Sequence, residues 1–178
     1  MDYKKKFLVI GNFNMVTYKE IFPYIKEGKL RTGKNWVKEF NMPDGKKKKF
    51  GNICWFTNLE THKADDPMEL VEKFDPVNKH LHYDNYDAYN VDKVADIPYD
   101  TDEVLGVPLT IAYRIADDGY IHFTHTSERE RELKFRIIDI NPHFFITIAT
   151  GNPKPKQVSV NGKDVYSRIF IQKIFDTE

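Results

Sequence analysis

The chain has 178 residues, of which 40% are apolar and 30% charged, and its formal net charge is zero. This length accommodates one main core, or a core with a smaller lobe, and the composition is that of an ordinary globular protein. No segment reaches the roughly 18 uncharged apolar residues of a membrane span, and no secretory signal is recognisable, so we expect no membrane association. The single cysteine, Cys54, excludes an internal disulfide and favours the cytoplasm.

The charges are segregated along the chain. Residues 1–63 contain 14 Lys and Arg against 6 Asp and Glu, residues 64–118 contain 4 against 14, and residues 119–178 contain 9 against 7. A basic first third favours a surface that faces nucleic acid, next to an acidic surface that faces solvent or a partner. The alternative is that the two blocks fold onto each other, since a near-neutral chain lacks the usual signature of a DNA-binding domain.

The first predicted elements are a strand and a helix. Residues 5–12, KKFLVIGN, are a short apolar run ended by Gly and Asn, which is typical of a strand buried on both faces in a parallel sheet. Thr17 and Glu20 have the spacing of a capping box and predict a helix that ends near Gly28. Pro23 is expected to distort this helix.

The next segment contains a turn signal and a lysine run. Residues 35–50, NWVKEFNMPDGKKKKF, include Pro-Asp-Gly followed by four lysines, which predicts an exposed basic loop with aromatic residues. Ile53 to Phe56 form a second apolar run and predict another inner strand.

The remainder of the chain is predicted to be loop-rich and then β-rich. Asp65 to Phe74 suggest a short acidic helix, and residues 83–100, rich in Tyr, Asp and Asn, have no sustained periodicity. The dipeptide Asn161-Gly162 predicts a tight hairpin turn. β-Branched and aromatic residues predict strands at Tyr120 to Thr124, Leu133 to Ile140, Phe144 to Ala149, Gln157 to Val160 and Val165 to Gln172.

Two groups of histidines have spacings that a metal site also uses. His80, His82 and Asp84 alternate along an extended segment, and His122 and His125 form another pair. Such spacings are common by chance, so we predict no metal site. The run from Glu128 to Glu132 alternates in charge and is interpreted as a solvated face.

Six segments together resemble a known family. In order they are KKFLVIGNFN, TYKEIFPYIKEGKL, GNICWFTNLE, YDNYDAYNVDKVADIPYD, GVPLT and VNGKDVYSRIFIQ. Their order and spacing resemble the C-terminal half of the EcoRI-type adenine-specific DNA methyltransferases. The resemblance covers about residues 4–172 and is clearest up to Thr110.

The resemblance implies a fold and an activity. It implies an α/β fold, with a partial Rossmann-like methyltransferase sheet in residues 1–63 followed by a loop-rich, antiparallel β-rich, target-recognition-like region in residues 64–178. Such enzymes transfer a methyl group from S-adenosylmethionine to the amine of an adenine turned out of the DNA duplex. In the family this chemistry depends on a Gly-rich turn and an Asn/Asp-Pro-Pro-aromatic tetrapeptide, both N-terminal to the region represented here.

Neither of these two elements is found in the sequence. Gly11 is a lone glycine in its turn, and we expect that the chain alone binds no S-adenosylmethionine. The nearest tetrapeptide is Asn141-Pro142-His143-Phe144, which has a histidine in place of the second proline and comes too late for the family order. Its simpler interpretation is a turn between two strands. We therefore predict no catalytic residue in this chain.

The resemblance also indicates where the target base and DNA would lie. The end of the FLVIGN strand would face the base, which places Asn12, Asn14 and Tyr18 nearby; the alternative is that Asn12 only supports its turn. Trp36 and Phe40 are the aromatic rings available to stack on the base, and the lysines Lys46, Lys47, Lys48 and Lys49 are available for phosphates. The alternative is a solvated lysine tip with the two rings packed beneath it.

Two functions follow as hypotheses. The first is part of a split or truncated DNA adenine N6-methyltransferase of a restriction–modification system, which acts on double-stranded DNA together with a complementary methyltransferase chain. The second is a non-catalytic DNA-binding or protein-interaction module derived from such an enzyme. In either case, a strand at residues 5–12 that lacks its neighbours leaves an open sheet edge, so self-association or pairing with a complementary chain is expected.

Overall fold

The computed structural model describes residues 5–61, 66–127, 129–140 and 157–174, and this part of the chain is rich in strands. The α-helix in the described ranges, α1, is only five residues long, Phe22–Lys26. The first strands are β1 (Leu8–Asn12), β2 (Arg31–Thr32), β3 (Val37–Asn41), β4 (Lys47–Thr57), β5 (Met68–Glu69) and β6 (Tyr89–Asn90). The later strands are β7 (Leu105–Pro108), β8 (Ile121–Ser127), β9 (Arg129–Ile140), β10 (Ser159–Val160), β11 (Lys163–Asp164) and β12 (Arg168–Ile174).

Strand β4 organises the first sheet. It pairs with β1 on one side and with β2 and β3 on the other, and all of these pairings are antiparallel. Cys54 and Phe56 on β4 are buried in the core, which confirms a strand at the second apolar run. The parallel, Rossmann-like pairing predicted for this region is not seen in residues 5–61, where each strand runs opposite to its neighbour.

The prediction that the first strand is buried on both faces is wrong. Strand β1 pairs only with β4 among the described residues and forms an edge of the sheet. Leu8, Val9 and Ile10 are 55%, 47% and 44% exposed. An apolar run is compatible with a strand that is buried on both faces, but it does not show whether other parts of the protein cover those faces.

The helix predicted from the capping box begins later than expected. A 3-10 helix, Phe13–Thr17, comes first, and the Thr17 hydroxyl donates to the Asn14 carbonyl oxygen at 2.8 Å instead of capping a helix that follows. Helix α1 then begins at Phe22, which puts Pro23 in its first turn, where proline is tolerated. Gly28 follows with a φ of +66°, so the predicted helix end is close to the observed one.

Residues 35–50 form a hairpin rather than a loop. Strands β3 and β4 pair with Asn41 opposite Lys47 and Phe40 opposite Lys48. The Pro-Asp-Gly signal does form the turn: Gly45 has a φ of +78°, and the Met42 amide donates to the Lys46 carbonyl oxygen at 2.8 Å. Two extended arms bonded to each other satisfy the backbone that the loop interpretation had left to solvent.

The second sheet has six strands in the order β5-β8-β9-β12-β7-β6. Its central pairings, β8 with β9, β9 with β12 and β12 with β7, are antiparallel, and the short outer strands β5 and β6 pair in parallel. This arrangement confirms strands in three of the predicted segments, those at residues 120–124, 133–140 and 165–172. The segments at residues 141–144 and 144–149 lie outside the described residues.

The acidic helix predicted at residues 65–74 is not observed in its described part. Residues 66–74 are extended and contribute β5. Leu70 is buried, whereas Val71 is 66% exposed, which is the alternation of a strand. Residues 83–100 are largely irregular, as predicted.

The hairpin of β10 and β11 turns at Asn161-Gly162, as predicted. Both residues have positive φ, 51° and 73°, which this turn requires. The Asp84 carboxylate accepts hydrogen bonds from the amides of Asn161 at 3.1 Å and Gly162 at 2.8 Å. The tyrosine-rich segment thereby holds the closing hairpin.

The two large sheets share one hydrophobic core, to which Val16, Ile25 and Phe56 contribute from the first sheet and its helices. At the rim of this core Gly28 meets the turn before β8, and a Cβ at Gly28 would lie 2.7 Å from the carbonyl oxygens of Ala116 and Asp117. Asp117 also forms an ion pair with Arg31. None of the helices in the described ranges is long and apolar enough to cross a membrane.

Candidate functional site

A cleft of about 300 Å³ lies beyond the C-terminal end of β1. One wall comes from the segment after β1 and from the base of the hairpin, and contains Phe13, Asn14 and Trp36. The other wall comes from β12 and the residues before it and from the segment after β7, and contains Thr110, Tyr166 and Arg168. The cleft therefore lies where the two sheets meet, at the position that the end of the FLVIGN strand was expected to face.

Asn12 and Asn14 are held at the strand end by local backbone geometry. The Asn12 side-chain oxygen accepts a hydrogen bond from the Asn14 amide at 2.9 Å and caps the 3-10 helix that follows. Asn12 therefore supports the turn, and Asn14 is the residue of the two that lines the cleft.

The aromatic wall of the cleft is formed by two rings. Trp36 packs on Phe13 with ring centroids 4.6 Å apart and planes tilted by 50°. Phe13 is buried, whereas Trp36 is half-buried and lines the cleft. A buried ring behind a partly exposed indole gives a rigid aromatic surface of the kind on which a base stacks.

The other wall contains a buried cation that the sequence did not indicate. Arg168 begins β12, is only 8% exposed and lines the cleft. Its Nε donates to the Asn90 side-chain oxygen at 3.3 Å, and the same oxygen accepts from the Tyr83 hydroxyl at 2.9 Å. Burial raises the pKa of Tyr83, so the hydroxyl stays protonated and keeps donating. The one signal in the sequence was an arginine at the head of the apolar run RIFI.

The hairpin extends from the same end of the first sheet. Asn12 is opposite Ile53, while Lys47 to Lys49 come earlier on β4 and pair with β3 alone. Residues 46–49 are exposed. Lys46 and Lys47 have carboxylate partners, Asp44 at 3.4 Å and Glu39 at 2.7 Å. Among the described residues, no such ion pair is found for Lys48 or Lys49.

Two of the residues predicted near the target base, Phe40 and Tyr18, do not line this cleft. Phe40 packs edge-to-face on Phe50 inside the hairpin, with ring centroids 5.2 Å apart, and is not among the residues that line the cleft. Tyr18 is half-buried next to α1, and its carbonyl oxygen accepts the amides of Ile21 and Phe22. The structure thus brings together Asn14 and Trp36, with Asn12 behind them, and not Phe40 or Tyr18.

The histidines have structural partners. His80 is buried, and its Nδ1 accepts the Asp75 amide at 3.0 Å, while Asp84 holds the closing hairpin. His122 lies between Asp118 at 3.0 Å and Glu132 at 2.7 Å. In the parts of the chain that the structure describes, no three His, Cys, Asp or Glu side chains converge as metal ligands.

A second cavity, of about 470 Å³, lies on the face of the first sheet that carries Leu8 and Trp55. Tyr113 and Arg114 form its far wall. Leu8, Ile10, Trp55 and Thr57 point to the same face, because Leu8 is opposite Thr57 and Ile10 is opposite Trp55. The face is mixed, with Leu8 and Trp55 beside polar residues such as Thr32 and Thr57, and it adjoins the edge of β1 that has no partner among the described residues.

Comparison with known proteins gives one family. The family model described as adenine-specific methyltransferase EcoRI matches residues 1–174. The chain is 32% identical over 191 residues to the type II methyltransferase M.EcoRI of Escherichia coli, covering 97% of this chain and 51% of that protein. It is 31% identical over 134 residues to the type II methyltransferase M.MpnI of Mycoplasma pneumoniae, covering 61% of this chain and 40% of that protein.

A third relative, the type II methyltransferase M.MgeORF184P of Mycoplasma genitalium, is 28% identical over 205 residues, covering 97% of this chain and 58% of the relative. No solved structure matches significantly. The chain thus spans about half the length of the curated relatives it matches. With a family model that covers nearly every residue, the chain belongs to the EcoRI family of adenine-specific methyltransferases.

Proposed function

We propose that this chain is the DNA-facing half of a DNA adenine N6-methyltransferase and that methyl transfer requires the other half of the enzyme. The observation that carries the proposal is the cleft at the end of β1, which has an aromatic wall and lies beside an exposed lysine hairpin. Stacking rings next to exposed cations suit a nucleotide that has left a duplex whose phosphates remain outside.

The residues at the cleft have separate roles in this proposal. Trp36 stacks on the adenine, Asn14 lies at the strand end next to the base, and Lys46 to Lys49 attract the DNA backbone. The acceptors for the adenine amine and the methyl donor come from the other half, because the family's Pro-Pro tetrapeptide is not in this chain.

The surroundings of Gly11, near the end of β1, support the proposal that this chain alone does not hold S-adenosylmethionine. A Cβ placed on Gly11 would lie 3.0 Å from the Met15 sulfur and 3.1 Å from the Phe56 ring. The open side of this glycine is therefore filled by the protein's own side chains, unlike a glycine whose backbone a cofactor approaches. The donor site of the complete enzyme belongs to the other half.

The edge strand β1 is the proposed junction with that other half. Leu8, Val9 and Ile10 are exposed on a strand whose outer edge has no partner among the described residues. Leu8 also lines the cavity beside Trp55. An exposed apolar edge of this kind favours pairing with another strand. A strand and an apolar helix from the other half would cover both.

A reconstitution assay tests the proposal. The chain is incubated with DNA and S-adenosylmethionine, alone and mixed with the N-terminal half of M.EcoRI, and N6-methyladenine is measured by mass spectrometry of the digested DNA. The C-terminal half of M.EcoRI with the same partner is the positive control. We expect product only in the mixtures, and loss of product on Val9→Lys, which puts a charge on the open edge.

The outcomes separate the two hypotheses. If the control mixture is active and this chain binds DNA but gives no product with the same partner, the chain is a non-catalytic DNA-binding module. Methylated product from the chain alone would refute the proposal that methyl transfer requires the other half of the enzyme. A chain that binds no DNA under any salt condition would refute the DNA-facing role itself.

A further inference from the structure

Arg168 is a buried cation that the proposed function has not yet used. It lines the same cleft as Trp36, although only 8% of the residue is exposed. Taking a guanidinium out of water costs several kcal/mol unless anions or acceptors replace the lost solvent. The partners of Arg168 therefore indicate whether its role is only structural.

Two of its five N–H groups have neutral partners. Nε donates to the Asn90 side-chain oxygen at 3.3 Å, and Nη1 donates to the Tyr166 carbonyl oxygen at 3.2 Å. Among the described residues, the carboxylate that pairs with the guanidinium is that of Asp92, 3.8 Å from Nη2, and its side chain is 75% exposed. In the described part of the chain, the guanidinium is thus oriented by neutral groups, and its ion-pair partner is a carboxylate that is largely exposed to solvent.

The acceptor that orients Arg168 is itself fixed. The Asn90 oxygen also accepts from the Tyr83 hydroxyl, and the Asn90 amide donates to Asp92 at 2.7 Å. Tyr83 is buried and its hydroxyl also lies 3.2 Å from the Gly106 carbonyl oxygen. This chain of hydrogen bonds holds the arginine in place before any ligand arrives, as expected of a binding group.

We infer that Arg168 holds a backbone phosphate of the nucleotide turned out of the duplex, while Trp36 stacks on its base. The inference rests on the proposed function. A nucleotide carries a flat ring and an anion close together, and the cleft presents an aromatic ring on one wall and a guanidinium on the other. A stacked duplex cannot reach a residue this buried, whereas an extrahelical nucleotide can enter a concave cleft.

Asp92 allows the inference to be tested by a gain of affinity. Because its carboxylate pairs with the guanidinium of Arg168, it competes with an incoming phosphate. Asp92→Asn removes the charge but keeps the oxygen that accepts from Asn90. We expect this variant to bind an extrahelical nucleotide several-fold more tightly. A purely structural ion pair would give lower stability and no gain in affinity.

The test uses duplexes with an adenine opposite an abasic site, with the phosphates flanking that adenine either native or replaced by neutral methylphosphonates. Wild-type chain is expected to lose about tenfold or more in affinity on the replacement, as for loss of a charge-assisted hydrogen bond. Arg168→Gln should bind both duplexes equally weakly, and Arg168→Lys should fall between. Asp87→Asn, which also removes one exposed carboxylate, is the matched control for net charge.

Each outcome has one meaning. If wild-type chain binds the two duplexes equally, the inference is overturned even if the Arg168 variants fail to fold. If Asp92→Asn and Asp87→Asn strengthen binding alike, the effect is bulk charge and the inference is also overturned. Absence of any DNA binding by the wild-type chain refutes the proposed function itself, whereas lysine-dependent binding without a methylphosphonate effect refutes only the role of Arg168.

Discussion

Lys48 and Lys49, the two hairpin lysines farther from the turn, should contribute more to DNA binding than Lys46 and Lys47, which lie at the turn. Lys46 and Lys47 already pair with Asp44 and Glu39, so a phosphate would have to replace an existing carboxylate partner. Lys48 lies 5.3 Å from the centre of the Phe50 ring, and no carboxylate is within ion-pair distance of Lys48 or Lys49 in the described residues. The comparison is therefore Lys48→Ala/Lys49→Ala against Lys46→Ala/Lys47→Ala.

The expected magnitude follows from counterion release. Each phosphate contact contributes about 0.9 to the slope of log affinity against log salt, so the loss of two contacts flattens the slope by about 1.8. Over a fourfold increase in salt, the Lys48/Lys49 variant should lose roughly twelvefold less affinity than the parent chain. The Lys46/Lys47 variant should flatten the slope by less than about 0.9, because its lysines exchange one anion for another.

Fluorescence anisotropy over a salt series measures these slopes on two duplexes of unrelated sequence. Both duplexes should respond alike, since phosphate contacts carry no sequence information. Lys73→Ala/Lys93→Ala removes two exposed lysines from the acidic middle of the chain and controls for net charge. If all three double variants have the slope of the parent chain, the hairpin is a solvated tip and the DNA surface lies elsewhere.

Three further predictions concern the cleft and the fold. Trp36→Ala should cost about 1–3 kcal/mol of affinity for a duplex with an unpaired adenine, measured by competition binding. Phe40→Ala should cost little, because the Phe40 ring packs on Phe50. The reverse order of the two losses would return the stacking role to Phe40. Gly28→Ala should lower the free energy of unfolding in urea by at least about 1–2 kcal/mol, because alanine is strained at a φ of +66° and its Cβ meets two carbonyl oxygens; an unchanged midpoint would contradict this. The pKa of Asp84 is held below its ordinary 3.8 by hydrogen bonds from the Gly162 amide, the Ser159 side chain and the Asn161 amide. Ionised Asp84 therefore stabilises the fold above pH 3.8. This stability is lost as the pH falls from 3.8 through the lower pKa of the folded state. Urea titrations from pH 6 to pH 2.5 should show a shallower acid loss for Asp84→Asn, and parallel curves would exclude this contribution.

Local signals in the sequence predicted local structure well. Asn161-Gly162 and Pro-Asp-Gly each specify a turn through the φ values that their glycines allow, and both turns are present. The apolar runs at residues 53–56 and 133–140 form strands, because the residues within each run are enough to favour an extended backbone. These features depend on a few neighbouring residues and need no knowledge of the rest of the fold.

Features that depend on distant partners were not predictable. Periodicity could not show that β1 pairs only with β4 among the described residues, nor that Met68 and Glu69 pair with β8 instead of belonging to a helix. Thr17 and Glu20 matched a capping box, but the Thr17 hydroxyl donates a hydrogen bond to the Asn14 carbonyl oxygen instead. In each case a tertiary or competing local contact outweighed a propensity worth less than about 1 kcal/mol.

The candidate site was predictable only on one side. Asn12, Asn14 and Trp36 lie close to a strand end that the resemblance had already placed near the target base. Arg168 reaches the same cleft through its contact with Asn90, which is 78 residues away in the chain. No spacing rule connects an arginine at the start of one strand to an asparagine in an irregular segment, so this wall of the cleft became visible only in the folded structure.

The segregated charges of the chain are explained by two different uses of charge. The acidic middle is used partly within its own segment, where Lys79 pairs with Glu72 at 2.9 Å and with Asp96 at 3.3 Å. It is also used on other segments, because Asp117 pairs with Arg31 and Asp84 holds the closing hairpin turn. The hairpin lysines Lys46 and Lys47 likewise pair within the hairpin, not with the acidic middle. The alternative, in which the basic and acidic blocks cover each other, would have neutralised the lysine run. Because the described contacts leave that run exposed at the end of the sheet where the cleft opens, its charge remains available to an anion from outside the chain, and a duplex whose extrahelical nucleotide enters the cleft would bring its phosphates to that end of the sheet.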